Sequence, residues 1–255
     1  MPGIRGVLLD VDGVLVTAWK PMAGAIETVD WLRRSSLPFR LVTNTTLFGG
    51  AELARLLREE GMDIHPDEVL TATNATGAYL RRHHPEARCY LLATGQARDD
   101  LACVTSVQEG ADVVVVGDAE QDFTYENLNR AFRMVMNGAA LVAMHRGMYW
   151  MTMDGPTLDA GTFVAALELA AGVKAEVAGK PSPEFFVTAL ESIGFAPHEV
   201  MMVGDDVQSD VNAARQVGMH AALVRTGKFR QRDLELLELP AHVIDSISDL
   251  RALLS

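Results

Sequence analysis

Short apolar runs at 6–9, 39–42, 90–93, 113–116, 140–144, 200–203 and 221–224 alternate along the chain with segments of helical period. Such alternation predicts an α/β fold with a mostly parallel sheet, since parallel neighbours need a crossover helix between them. The runs are continuous rather than alternately polar, as strands buried on both faces require. Leu53, Ala54, Leu56 and Leu57 follow helical spacing, with Gly61 placed for a C-terminal cap. Ser182-Pro183 reads as the N-cap and first-turn proline of a helix that Gly194 ends, and a further helix is expected over 207–217. No internal repeat or Pro/Ser-rich linker is visible.

The acidic residues are placed unevenly with respect to these strands. Leu9-Asp10-Val11-Asp12-Gly13 and Val203-Gly204-Asp205-Asp206 put carboxylates just after two apolar runs, and Val42-Thr43-Asn44 puts a hydroxyl and an amide after a third. In an open parallel sheet the C-terminal strand ends share one edge, where ligands bind. Three distant segments are therefore expected to converge on one site.

Composition narrows the partners. With 22 Lys and Arg against 34 Asp and Glu, the net charge is −12, a field that repels nucleic acid and anionic membrane surfaces. The hydrophobic fraction of 49% and charged fraction of 22% are those of a soluble globular chain. Two cysteines, Cys89 and Cys103, make no disulfide framework and read as free thiols. The N-terminus has no signal-like run and no long apolar span occurs, so a cytoplasmic protein is expected.

Asp10, Asp12 and Asp205 brought together would repel one another unless a cation compensates or one holds a proton. An all-oxygen donor set favours a hard ion, and Mg²⁺ suits few carboxylates plus a phosphate better than Zn²⁺. One oxygen of Asp10 would stay free for in-line attack on phosphorus. Lys180 in Gly179-Lys180-Pro181 could bind phosphoryl oxygens, with Thr43 adding a hydrogen bond. Each element has a plainer alternative: a solvated turn at Asp10 and Asp12, helix-capping acids at Asp205 and Asp210, a surface lysine at 180, an Asx-type turn at Thr43 and Asn44. A calcium loop fails because Val14 stands where a ligand is needed, and a nucleotide P-loop fails because Lys174 stands where its first glycine belongs.

Asp10-Val11-Asp12-Gly13-Val14, Thr43-Asn44, Gly179-Lys180-Pro181 and Gly204-Asp205-Asp206 with Asp210 resemble the four ordered motifs of the haloacid dehalogenase-like hydrolase superfamily. The stretch between Thr43-Asn44 and Lys180 resembles the inserted α/β cap of its class IIA subgroup. Leu158-Asp159-Ala160-Gly161, the segment from Gly179 to Phe186, and Val224-Arg225-Thr226-Gly227-Lys228 are most similar to the branch of phospholysine phosphohistidine inorganic pyrophosphate phosphatases. The resemblance implies a doubly wound core at 1–74 and 176–255 with a cap at 75–175. It implies an Mg²⁺-dependent phosphatase in which Asp10 is the nucleophile, Thr43, Asn44 and Lys180 hold the phosphate, and Asp205 holds the metal. Asp206 and Asp210 would support that shell. Asp12 would bind Mg²⁺ through its backbone carbonyl and act as general acid and base. Animal members of that branch often carry Ser where this chain has Asp12, so hydrolysis of phosphomonoesters is implied alongside pyrophosphate and phosphoramidates. A catalytically idle ligand sensor and a phosphotransferase are the rival functions.

Other features carry less. Met134, Met136, Met144, Met148, Met151 and Met153, with Tyr149 and Trp150, are expected to pack the cap core, with a substrate wall or a cap-to-cap homodimer surface as alternatives. His83-His84 reads as a solvated helix end. His145 and Arg146 are expected to be exposed, with substrate recognition as the alternative. Substrate choice is expected to lie at 145–150 and 154–161, because the four motifs touch only the phosphoryl group.

Overall fold

The computed structural model describes residues 3–93, 95–102, 104–152 and 155–255. The chain divides into two compact units, one of Met1–Thr43, Gly50–Leu70 and Lys180–Ser255, the other of Asn44–Gly49 and Thr71–Gly179.

The first unit is built on a six-stranded sheet in the spatial order His242–Ile244, His220–Val224, Val200–Gly204, Gly6–Leu9, Phe39–Thr43, Val69–Thr71. Gly6–Leu9 pairs in parallel with Val200–Gly204 on one side and Phe39–Thr43 on the other. The next two pairings toward the His242–Ile244 edge are parallel too. Gly6–Leu9 and Val200–Gly204 are buried along their whole length, as the unbroken apolar runs predict. Strand order reverses beside Gly6–Leu9, whose chain continues to Phe39–Thr43 on one flank while Val200–Gly204 lies on the other. This is the switch point at which α/β sheets open a ligand crevice.

Helix ends follow local chemistry. Gly194 takes a left-handed conformation with φ 76° to close the Pro183–Ile193 helix. Gly61, φ 95°, follows the Gly50–Glu59 helix. The helix expected over 207–217 differs from expectation: residues Val207–Asn212 form a π-helical turn and only Ala213–Gln216 is α-helical. The Val211 N–H reaches back five residues to the Asp206 carbonyl at 3.3 Å, a widened turn of the kind that marks functional sites.

The second unit has its own five-stranded sheet, ordered Glu176–Val177, Ala140–Ala143, Val113–Val116, Arg88–Leu92, Thr105–Ser106, with all four pairings parallel. Alternate residues feed two cores, as the two-residue period of a strand dictates. Cys89, Leu91, Val113, Val115 and Val142 pack with Leu80, Ala97 and Leu101. Tyr90, Leu92, Val114, Val116 and Leu141 pack on the opposite face with Ala131, Met134, Val135, Val164 and Leu167. Each fully buried valine contributes about 1.5–3 kcal/mol.

The methionines divide, which corrects the expectation of a shared core. Met134 and Met144 are buried, but Met136 and Met148 are 58% and 50% exposed and Tyr149 is 64% exposed. Met136 is the last residue of the Tyr125–Met136 helix, and Met148 and Tyr149 lead into the two-stranded hairpin Tyr149–Thr152 and Gly155–Leu158, which stands apart from the five-stranded sheet. Met153, the side chains of Trp150 and Met151, and Cys103 lie outside the described residues. Cys89 is buried, its Sγ donating to the Ala87 carbonyl at 3.6 Å. Among the described residues no helix is long and apolar enough to cross a membrane.

Candidate active site

The site in the first unit forms where its central strands end. Asp10 continues the ladder one residue past Gly6–Leu9, its N–H donating to the Val203 carbonyl at 2.9 Å. After it the chain turns sharply: the Leu15 and Val16 N–H groups both return to the Val11 carbonyl at 2.9 and 3.0 Å. Val11 is thereby buried and Asp12 left exposed. Thr43, 2% exposed, closes the neighbouring strand.

Lys180 is the hub. It is 3% exposed, and its Nζ donates to Asp10 Oδ1 and Asp210 Oδ1, both at 2.7 Å, and to the Val42 carbonyl at 3.3 Å. Burial alone would lower the lysine's affinity for its proton, but the charges of Asp10 and Asp210 outweigh it and hold Lys180 firmly cationic. The alternative of a surface lysine is excluded.

Asp205 and Asp210, 2% and 0% exposed, complete the group. Asp210 has both oxygens engaged, Oδ1 by Lys180 and Oδ2 by the Asp206 N–H at 3.2 Å. Asp205 Oδ2 accepts the Lys228 N–H at 2.6 Å, whereas Asp205 Oδ1 is buried with no hydrogen-bond partner. Burial, and then the neighbouring carboxylates, push the Asp205 carboxyl well above the usual range, and burial does the same to Asp210 against the pull of Lys180. Asp206 instead caps the following turn, its Oδ1 accepting the Gln208 and Ser209 N–H groups at 3.0 Å. The capping alternative weighed for Asp205 and Asp210 thus belongs to Asp206.

A hard cation fits this arrangement. Asp10, Asp205 and Asp210 bring one oxygen each to within 4.8 Å of one another. The unpartnered Asp205 Oδ1 is the kind of buried acceptor that a native structure leaves for an ion or water. Close backbone approach reinforces the point: a Cβ on Gly13, φ 82°, or on Gly227, φ 60°, would stand only 2.1 or 2.0 Å from Asp205 Oδ2. These two glycines, and the Thr226 hydroxyl that donates to the Gly13 carbonyl at 2.6 Å, shape the site beyond the residues expected from sequence. Their signal was the Thr226-Gly227-Lys228 triplet after an apolar run.

Asp12 is the most exposed of the acidic group. The protein packed about it raises its carboxyl above the usual range, against the opposing pull of Lys228 and Lys180. A raised carboxyl suits a group that must carry a proton at neutral pH. Asn44 belongs to the second unit, where its Oδ1 lies 2.8 Å from the position of a Cβ on Gly179.

In the second unit, His145 departs from the exposed placement expected, whereas Arg146 is exposed as expected. His145 is 3% exposed, accepts the Gly147 N–H on Nδ1 at 3.1 Å and faces Asp159 at 3.6 Å. The cause is backbone folding: Gly161 N–H donates to the Gly147 carbonyl at 2.8 Å, drawing the 145–147 turn beneath the start of the Ala160–Ala171 helix. Arg146 pairs bidentately with Glu168, its Nη1 donating to Oε1 at 2.9 Å. His83 is exposed as expected, while the His84 Nε2 lies 2.6 Å from Glu176 Oε2.

The chain is similar to known proteins over most of its length. The haloacid dehalogenase-like hydrolase model matches residues 7–105, and a HAD-hydrolase-like model matches 177–250. Over 98% of its length the chain is 38% identical to the phospholysine phosphohistidine inorganic pyrophosphate phosphatase of Mus musculus, of which 93% is covered. It is 39% identical to the human haloacid dehalogenase-like hydrolase domain-containing protein 2, covering 94% of this chain and 91% of that protein. The solved 4-nitrophenylphosphatase of Thermotoga maritima superposes with a TM-score of 0.91 at 29% identity, over 98% of this chain and 97% of that one. The chain belongs to the haloacid dehalogenase-like hydrolase family.

Proposed function

We propose that this hydrolase is an Mg²⁺-dependent phosphatase of small phosphorylated molecules that works through an aspartyl-phosphate on Asp10. The observation that carries the reading is the asymmetry of the Asp10 carboxylate: Lys180 holds Oδ1 at 2.7 Å, and Oδ2 takes no hydrogen bond among the described residues. A carboxylate fixed by one oxygen and free at the other is oriented for attack. Asp10 and Asp205, with the Asp12 backbone carbonyl, would hold Mg²⁺, which would neutralise the phosphate's charge and draw it against the carboxylates. Asp210 engages both oxygens with Lys180 and the Asp206 N–H, which suits it to positioning Lys180.

Asp10 Oδ2 bonds to phosphorus as the bond to the leaving oxygen breaks, and Asp12 gives that oxygen its proton. Water then attacks the phosphoaspartate, Asp12 takes the water's proton, and phosphate leaves with Asp10 restored. Lys180 compensates charge on Asp10 in both steps, and Thr43 and Asn44 are assigned to the phosphate. The second unit, Asn44–Gly49 and Thr71–Gly179, which contains the 75–175 stretch expected as a cap, is assigned the part that selects substrate. Names of relatives point to two substrate classes, phosphoramidates and pyrophosphate on one side and aryl phosphates on the other. A cytoplasmic setting, and pairing of two copies through the second unit near Met148, Tyr149 and Leu158, which are 50%, 64% and 61% exposed, belong to the same reading. Sedimentation of the whole chain tests the pairing.

The chemical test is hydrolysis of 4-nitrophenyl phosphate with and without Mg²⁺. Asp10→Asn should abolish it, and retained turnover would remove the nucleophile. Asp12→Asn should lower turnover of alkyl phosphates by about 10²–10⁴-fold, with a smaller loss for nitrophenolate, a leaving group that needs no proton. Stoichiometric release of inorganic phosphate separates hydrolysis from transfer to another acceptor. Tight binding of a metabolite without turnover would favour a sensor.

A further inference from the structure

The two lysines of the site are held in contrasting ways. Lys180 is buried and committed to Asp10, Asp210 and the Val42 carbonyl. Lys228 is exposed, and no carboxylate among the described residues lies within ion-pair distance of it. Its ammonium nevertheless stands in the field of Asp205, Asp10, Asp206 and Asp210 and is the largest cationic influence on Asp12. A cation facing several carboxylates without closing on any of them is available to an incoming anion.

Its position is set by backbone. The Lys228 N–H donates to Asp205 Oδ2 at 2.6 Å, and the Thr226 hydroxyl donates to the Gly13 carbonyl at 2.6 Å. The turn is pressed onto the 12–13 segment so closely that a Cβ on Gly227 would lie 2.5 Å from Gly13 Cα. Lys228 is thereby fixed to the segment that carries Asp12, and under the reading above Asp12 must reach the leaving oxygen. The amine therefore belongs to the leaving-group side of the reacting phosphorus, opposite in role to Lys180.

We infer that Lys228 is a specificity-determining residue that binds negative charge on the leaving group, so that the site prefers substrates whose departing part is itself anionic, a second phosphoryl group or a carboxylate, over esters of uncharged alcohols. The inference rests on the phosphatase reading and adds to it the source of discrimination. On a chain of net charge −12, a substrate whose leaving part is also anionic meets the stronger repulsion at the carboxylate cluster, and a local cation on its outer side offsets this where a neutral leaving group has no need of it.

The test compares kcat/KM for pyrophosphate and for phenyl phosphate in the wild type, Lys228→Met and Lys228→Arg. Lys228→Met keeps the backbone N–H that binds Asp205, so an Mg²⁺-induced thermal shift at least as large as that of the wild type certifies the site. A charge-assisted hydrogen bond of about 1.5–3 kcal/mol predicts that Lys228→Met lowers the pyrophosphate value about 10- to 100-fold more than the phenyl phosphate value, while Lys228→Arg stays within a few-fold of the wild-type ratio. Equal losses on both substrates overturn the inference, as does a wild type that hydrolyses phenyl phosphate but neither binds nor hydrolyses pyrophosphate. In Asp10→Asn, calorimetric titration with pyrophosphate and with inorganic phosphate gives a second readout: Lys228→Met in that background should weaken the first at least tenfold more than the second. Turnover surviving in Asp10→Asn would defeat the aspartyl-phosphate reading on which the inference rests, whereas an unchanged substrate ratio with a dead Asp10→Asn would defeat only the role of Lys228.

Discussion

Replacing Arg146 by alanine separates a structural role from a substrate-binding one. The guanidinium is 38% exposed at its side chain, but the Glu168 carboxylate that it grips is only 6% exposed. Without Arg146, Glu168 keeps a single described partner, the Ala175 N–H at 2.7 Å. Stranding one member of a buried pair costs about 3–5 kcal/mol, and water reaching the outer edge of this pair places Arg146→Ala near the lower limit, about 3 kcal/mol. For a chain of this size that corresponds to a melting temperature lower by about 6–12 °C. Glu168 is held below its ordinary value near 4.5, with the Arg146 hydrogen bonds outweighing burial. A carboxyl with a depressed folded pKa contributes its full stability above its unfolded value and loses it as pH falls through the folded value. The gap between wild type and Arg146→Ala should therefore be constant at neutral pH and shrink as pH drops below about 4.5. Calorimetry across this range, with Arg146→Ala/Glu168→Gln costing less than the sum of the singles, is the assay. An unchanged melting temperature together with a kcat/KM loss confined to one substrate would refute the structural assignment.

Four further outcomes are expected. Lys180→Met should abolish turnover and, measured in chelator, cost about 3–5 kcal/mol by leaving Asp10 and Asp210 uncompensated, with Mg²⁺ restoring part of the loss. Mg²⁺ at 100 times its dissociation constant should stabilise the wild type by about 2.7 kcal/mol, and thermal-shift titration of Asp205→Asn should show no such gain. Gly227→Ala, whose Cβ would stand 2.0 Å from Asp205 Oδ2 at φ 60°, should lose the Mg²⁺ response in the same titration. Gly194→Ala, with nothing within 4 Å, should show only the left-handed strain of about 1–2 kcal/mol.

The central strands were legible because burial on both faces leaves unbroken apolar runs, and Asp10, Thr43 and Asp205 were legible because each follows such a run. Other features left weaker traces. The Val69–Thr71 and His242–Ile244 strands have three residues each, too few for a period to show, and exist because the sheet offers them a partner edge. The burial of His145 depends on Gly161 drawing a turn inward from sixteen residues away, which no local pattern reports. Arg146 found Glu168 one helix later, a pairing set by packing rather than spacing. Lys228 was visible in the sequence as part of a motif, but its relation to Asp12 and Asp205 arises only when the 226–228 turn meets Gly13.

The π-helical turn at Val207–Asn212 makes the site sensitive to chain length as well as to side-chain identity. A regular α-helix advances by about 100° per residue, and a π-turn holds one residue more than an α-turn over the same span. Asp210 reaches Lys180 with this widened turn in place, its carboxylate lying so near Gly204 that a Cβ there would meet Oδ2 at 2.3 Å. Deleting one residue between Asp206 and Asp210 would regularise the helix, which ordinarily favours stability, yet rotate the carboxylate away from the lysine. Length variation among homologous sequences should therefore avoid this interval while tolerating it in the neighbouring 230–241 segment, and a one-residue deletion variant should fold with normal helicity but without phosphatase activity.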